Sequence, residues 1–176
     1  PTFNYSSPYW TNKATFAVED GLEGLTEKES KLASYWNTPF TKICLGMTIN
    51  GNRRWMLLEY KADSLYSVIA DGQSRNTTAG IENWKSLIAG SFLQPYCNYE
   101  SFNINFINPP NFSLRARLGL AANNQDNCLS CDSWIGFGVH WRSNCKTSEA
   151  FRACGNAFMC GNNVIDNPAF GYILVH

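Results

Sequence analysis

The residues best equipped for chemistry gather in the second half of the chain. Cys128-Leu129-Ser130-Cys131 has the spacing of a zinc knuckle or a redox pair, and Cys145, Cys154, Cys160 and His140 add enough ligands for a zinc site. The redox reading lacks the surrounding βαβ pattern. The competing reading makes these cysteines cystine halves of an exported protein. Three sequons favour it: Asn4-Tyr5-Ser6, Asn76-Thr77-Thr78 and Asn111-Phe112-Ser113. With Cys44 and Cys97 the chain holds seven cysteines. We therefore expect a secreted, disulfide-bonded chain, with glycans at Asn4, Asn76 and Asn111 and a disulfide network concentrated in residues 128–160. An odd count leaves at least one cysteine free or bridged to another chain.

A second constellation overlaps the first. Asn123, Asn124, Gln125, Asp126, Asn127 and Asp132 crowd oxygen-bearing side chains into residues 123–132. Calcium takes about six to eight oxygens from flexible loops. Asp126 and Asp132 are the candidate metal ligands, helped by Asn156, Asp166 or water, and Ca2+ is the candidate cofactor. The plainer reading is a polar loop whose Asn and Asp side chains make its turns. Trp134, His140 and Trp141 lie beside this run. Aromatic rings stack on sugar C–H faces while amides bind hydroxyls, so Asn124, Gln125, Trp134, His140, Trp141 and Asn156 form a candidate glycan site. Trp134 and His140 share parity and should project from one face, with Trp141 on the other unless the strand bulges. Each tryptophan alone suits a core equally well. An enzyme is not expected. The chain has two histidines, one of them His176 at its end, no Gly-x-Ser-x-Gly elbow, and no pattern pairing Glu59, Asp63, Glu82 or Glu100.

The elements that must position these groups read as one α+β domain spanning 1–176. Residues 1–25 are polar and aromatic and read as an ordered arm or lid, and 26–176 as the globular body. Thr26-x-x-Glu29 has the form of a capping box and predicts a helix over 27–36. Asn50-Gly51 joins strands 41–49 and 54–60 as a hairpin. Residues 80–89 carry Ile81, Trp84, Leu87 and Ile88 at helical spacing. Alternating patterns mark strands at 102–106 and 114–120, with further strands at 134–140 and 170–175. Between them, 121–132 and 143–168 read as cystine-stapled loops, with one helical turn near 148–153. The expected architecture is an antiparallel sheet with short helices and a loop-rich, disulfide-stapled C-terminal half.

Fourteen basic and fourteen acidic side chains balance, so the long-range field that holds phosphate backbones is missing and nucleic acid is not an expected partner. No apolar run reaches the roughly 18–20 residues of a membrane span. The opening Pro1 reads as the start of a mature or excised domain.

Several segments resemble an extracellular domain of cnidarian secreted proteins found in coral skeletal organic matrix. They are WTNKATFAVEDGLEGL (10–25), KLASYWNTPFTKICLGM (31–47), SLYSVIADG (64–72), WKSLIAGS (84–91), IGFG (135–138), CGN (154–156) and FGYILV (170–175). A more distant similarity is to fibrinogen-like and intelectin-like lectin domains. That resemblance implies calcium-dependent glycan capture. Asn124 and Gln125 fall where that family uses an Asn-Glu pair, and Asn156 falls where it uses an Asp after Cys-Gly. Both acidic positions are amides here. The expected function is a secreted carbohydrate-binding or adhesion module of the extracellular matrix or cell surface, with glycans or other matrix proteins as partners. The alternative is a structural matrix or filament subunit, homo-oligomeric through an unpaired cysteine.

Overall fold

The computed structural model describes every residue except Asn144, Lys146, Thr147, Ser148 and Gly161. Nine strands and four short helices are described in chain order: α1 (Val18–Leu22), α2 (Ser34–Asn37), β1 (Phe40–Ile49), β2 (Asn52–Ala62), α3 (Leu65–Ile69), β3 (Arg75–Asn76), α4 (Ile81–Ser86), β4 (Tyr96–Asn108), β5 (Phe112–Asn123), β6 (Ser133–Arg142), β7 (Glu149–Phe158), β8 (Ile165–Pro168) and β9 (Phe170–Val175). They form two antiparallel sheets, one of three strands ordered β2-β1-β9 and one of six ordered β3-β4-β5-β6-β7-β8. The chain is therefore mostly β, and the helical share implied by an α+β reading shrinks to single turns.

The hairpin forms as its turn chemistry dictates. Asn50 and Gly51 both adopt left-handed φ, 50° and 77°, which a two-residue hairpin turn requires. Ile43, Leu45 and Met47 then face inward from β1 and meet Phe102, Leu118, Leu120, Ile135 and Phe137 of the larger sheet in one core. Trp84 and Leu87 around α4, and Leu65, Val68 and Ile69 of α3, close this core beside β2.

Two sequence expectations give way to tertiary pairing. The helix over 27–36 is reduced to Ser34–Asn37, because Lys31 is drawn into an extended bridge with Phe16 through two backbone hydrogen bonds. The Thr26–Glu29 capping box does not form; Glu29 accepts instead from the Thr2 amide at 3.1 Å. Residues 143–168 contain two strands, β7 and β8, rather than a stapled loop, and Ala150–Ala153 is extended rather than helical. Ser148 of that expected turn lies outside the described residues. The polar, glycine-bearing run reads as loop in isolation, yet β7 pairs with β6 along its length, Ser133 opposite Phe158 through Arg142 opposite Glu149.

The larger sheet is folded across its strands. Phe102, Leu118, Phe137 and Cys154 form one cross-strand row and all belong to the core between the sheets. Two residues along each strand, Ile104, Ala116 and Val139 have the same parity but belong to a second cluster on the opposite face, with Leu114, Trp134 and Trp141. The row between them is where the faces exchange, and there Asn103 has φ 51° and Gly138 has φ 59°. This overturns the parity expectation. Trp134 and Trp141 share one face with ring centroids 6.0 Å apart, although seven residues of straight strand would separate them by about 23 Å. His140 lies on the other face, stacked on Phe151 at 4.5 Å.

Candidate functional site

Two disulfides are present, Cys97–Cys128 and Cys145–Cys160. Only the second lies wholly within the expected 128–160 network. Cys131 and Cys154 are free and buried, and Cys44 is free and partly exposed. Three of the expected seven cystine halves are thus thiols. Cys97 reaches Cys128 because β4 runs beside β5 and lies against the turn at Cys128–Ser130. Among the described residues, the two groups spaced for a metal are Cys97–Cys128–Cys131 and Asp132–Cys145–Cys160, and each contains a disulfide. Bridged sulfurs are not thiolate ligands, so neither group offers the full soft set that zinc takes.

The glycan and calcium candidates are separated by burial. Trp134 and Trp141 are 2% and 1% exposed, so neither ring is open to stack on a sugar. Asn156 is fully buried and ties the 92–94 segment to the sheet, donating to Phe92 O and Trp134 O and accepting from Phe92 N. His140 is held between Arg115, 2.7 Å from Nδ1, and Glu149 at Nε2. Hydrogen bonding to His140 holds the Glu149 carboxyl below its ordinary range. Asn124, Gln125 and Asp126 are exposed at the end of β5. Asp132 packs against the Cys145–Cys160 sulfurs, and burial raises its carboxyl. Among the described residues, Asp126 belongs to no carboxylate, Cys or His group spaced for a metal, and Asp132 only to the one that contains the Cys145–Cys160 bridge. Of the other carboxylates considered, Glu59, Asp63 and Glu82 are exposed, while Glu100 accepts from Thr77, Ala79 and Gly80 ahead of α4.

The sequons fare differently. Asn76 is exposed on the edge strand β3 and Asn111 is exposed in the β4–β5 turn. Asn4 is half-buried, its amide donating to Pro1 O and its Oδ1 accepting from Ser6 N.

A large concave feature lies elsewhere. A cavity of about 1050 Å³ opens between the N-terminal arm and strands β7 and β9. Phe3, Tyr9 and Trp10 of the arm, with Tyr35 of α2, form one side of it, and Phe137 of β6 and Ile173 of β9 the other. The arm is pinned by several contacts. The Lys31 ammonium donates to Tyr9 O at 2.6 Å, Asn12 O at 2.7 Å and Asn12 Oδ1 at 3.0 Å. It also sits 4.7 Å from the Tyr35 ring centroid. Burial pushes Lys31 down to about 8, against the oxygens and ring faces that favour its charge. Tyr35 donates to Trp10 O, Trp10 donates to Asn4 O, and Arg117 donates to Tyr5 O at 3.0 Å while lying 4.3 Å from the Tyr5 ring centroid. Arg117 stands at the fold line of the sheet, so the same kink that exchanges the faces also seats the arm.

Reading the sequence did not find this cavity. Its one legible signal is the aromatic content of the arm: Phe3, Tyr5, Tyr9, Trp10 and Phe16 in a stretch with no core-forming period. Comparison of the chain with protein-family models, curated proteins and solved structures finds no match. The coral-matrix and lectin resemblances therefore rest on their motifs alone.

Proposed function

We propose that this chain is a secreted binding module that holds an apolar small molecule between its N-terminal arm and its sheets. The cavity carries the reading. Small-molecule sites are concave, mostly apolar and about 300–1,000 Å³, and this one has that size, aromatic walls and an arm closed by specific hydrogen bonds. Two disulfides suit an oxidising, extracellular setting, and among the described residues no helix is long and apolar enough to cross a membrane. A lectin-like or adhesive role through glycans would rest on Asn124, Gln125 and Asp126, without the buried tryptophans. The test is titration of natively secreted protein with the uncharged dye Nile red. Saturable fluorescence enhancement is expected, and Ala169→Phe, which places a ring among the lining residues, should abolish it. Native protein that shows no saturable uptake would remove the reading.

One observation favours a second reading, that of a structural matrix subunit. Cys44 projects from the outer face of β1 between its cross-strand partners Leu57 and Leu174, which are 51% and 42% exposed. A thiol in that setting suits a disulfide between copies. Non-reducing gels of wild type and Cys44→Ser decide this: a dimer band lost in the variant supports it, and monomer in both removes it.

A further inference from the structure

Apart from the cavity, one cluster of side chains holds chemistry that a binding module does not use. β4 carries one extra residue between Tyr96 and Tyr99, opposite Asn123 and Ala121 of β5, and Cys97 and Asn98 take left-handed φ of 65° and 46° in that bulge. There Cys97 meets the turn at Cys128–Ser130, and three sulfurs gather where only two can bond. Cys97 is bridged to Cys128, and the free Cys131 sulfur lies 3.5 Å from the Cys97 sulfur. Cys131 is 1% exposed and donates its thiol proton to Cys128 O at 3.0 Å, whereas Cys128 is half-buried beside the exposed Leu129. Chain entropy does not choose between the two partners, since a bridge from Cys97 to Cys131 would close a loop only three residues longer. We infer that Cys97, Cys128 and Cys131 form an internal thiol–disulfide exchange site, which moves the free thiol from buried Cys131 to Cys128, where a small disulfide from solution can reach it.

In the exchange the Cys131 thiol gives its proton to water and its thiolate attacks the Cys97 sulfur. The Cys97–Cys131 bond forms as the Cys97–Cys128 bond breaks, and Cys128 leaves as a thiolate, with no net oxidation. That thiolate then attacks an external disulfide, forming a mixed disulfide at Cys128 and releasing the other half as a thiolate. An attacking sulfur must stand in line behind the bond it breaks. The three sulfurs lie within 4.8 Å of one another, less than the 3.5 Å approach plus a bond of about 2 Å would span in a straight row. The turn must therefore shift before exchange occurs. It is a single turn of three residues, preceded by exposed Asn124–Asn127. The same shift wets Cys131, whose burial disfavours the attacking thiolate. The Cys97–Cys128 bridge is the resting pairing.

The native secreted protein is incubated separately with iodoacetamide, which traps thiols irreversibly, and with glutathione disulfide. Each sample is quenched in acid, digested with pepsin at low pH to halt further exchange, and mapped by mass spectrometry. Both reagents should mark Cys128, with the Cys97–Cys128 bridge lost and a Cys97–Cys131 bridge in its place. Cys131→Ala, checked for folding by circular dichroism, should leave Cys128 unmarked and still bridged to Cys97. The wild-type map alone decides the pairing should that variant fail to fold. The inference is overturned if Cys131 takes the mark while Cys97–Cys128 persists, if Cys97 takes it with Cys128 bridged to Cys131, or if prolonged treatment marks none of the three. Marking of Cys128 by iodoacetamide but not by glutathione disulfide would keep the exchange and overturn the disulfide as its substrate. None of these outcomes depends on uptake of a dye by the cavity.

Discussion

Replacing Gly138 with alanine tests whether the fold line of the large sheet is what seats the arm. Gly138 has φ 59°, and a methyl group there would lie 2.8 Å from Arg117 Cγ and 2.9 Å from the Trp10 ring. A left-handed backbone costs an L-residue about 1–2 kcal/mol. Forcing a methyl into a packed contact adds about 1–3 kcal/mol. Trp10 is only 6% exposed and bonded to Asn4 O, so it cannot swing aside freely. The sum, about 2–5 kcal/mol, is a large part of the roughly 5–15 kcal/mol that stabilises a domain. Gly51 supplies the control. It has φ 77°, but open space surrounds its missing Cβ, so Gly51→Ala bears the backbone cost alone. Urea denaturation of wild type and both variants, followed by circular dichroism, should place Gly138→Ala at least about 1 kcal/mol below Gly51→Ala. Trypsin should also cut residues 1–30 sooner in Gly138→Ala. If the two alanine variants lose equal stability and show equal arm protection, the methyl meets no resistance, and the proposed link between kink and arm is wrong.

Three further outcomes follow from local chemistry. Lys31 titrates at about 8 in the folded chain against an ordinary 10.5, so the unfolded chain binds more protons between those values. Stability should therefore rise as pH increases from about 8 toward 9.5, and Lys31→Met should flatten that rise in urea melts taken at each pH. Cys145→Ser should cost roughly 3 kcal/mol and Cys97→Ser roughly 3–4 kcal/mol by chain entropy for spans of 15 and 31 residues; equal thermal stability before and after mild reduction would show that neither bridge forms in solution. In a glycosylating host, peptide mapping should find glycans at exposed Asn76 and Asn111 in preference to Asn4, whose amide is spent on Pro1 O; full occupancy of Asn4 with none at Asn76 would reverse this ordering.

Local chemistry alone determined the β1–β2 hairpin, because Asn50-Gly51 needs no distant partner to turn. It also determined that β9, β4 and β5 are strands, although not their faces: Asn103 and Arg117, which alternation turns outward, are buried where the faces exchange. Cysteine content was enough to expect disulfides, since oxidation follows compartment rather than fold. Pairing was another matter. Cys97 meets Cys128 because two strands lie side by side, and Cys131 stays free three residues away although its spacing looked just as apt. The strand β7 was illegible because its Gly155-Asn156 pair carries no strand signal of its own, and the β6 edge supplies the hydrogen bonds that hold it extended. The parity argument for the candidate glycan site failed at Gly138: counting along a straight strand put Trp134 with His140, whereas one left-handed residue exchanged the faces and buried Trp134 against Trp141. The cavity belongs wholly to tertiary structure. Apart from Leu65 and Phe137, its walls come from the first 38 residues and the last 26, and no local pattern records that two distant stretches of a chain will meet, because closing that distance is decided by the core between them.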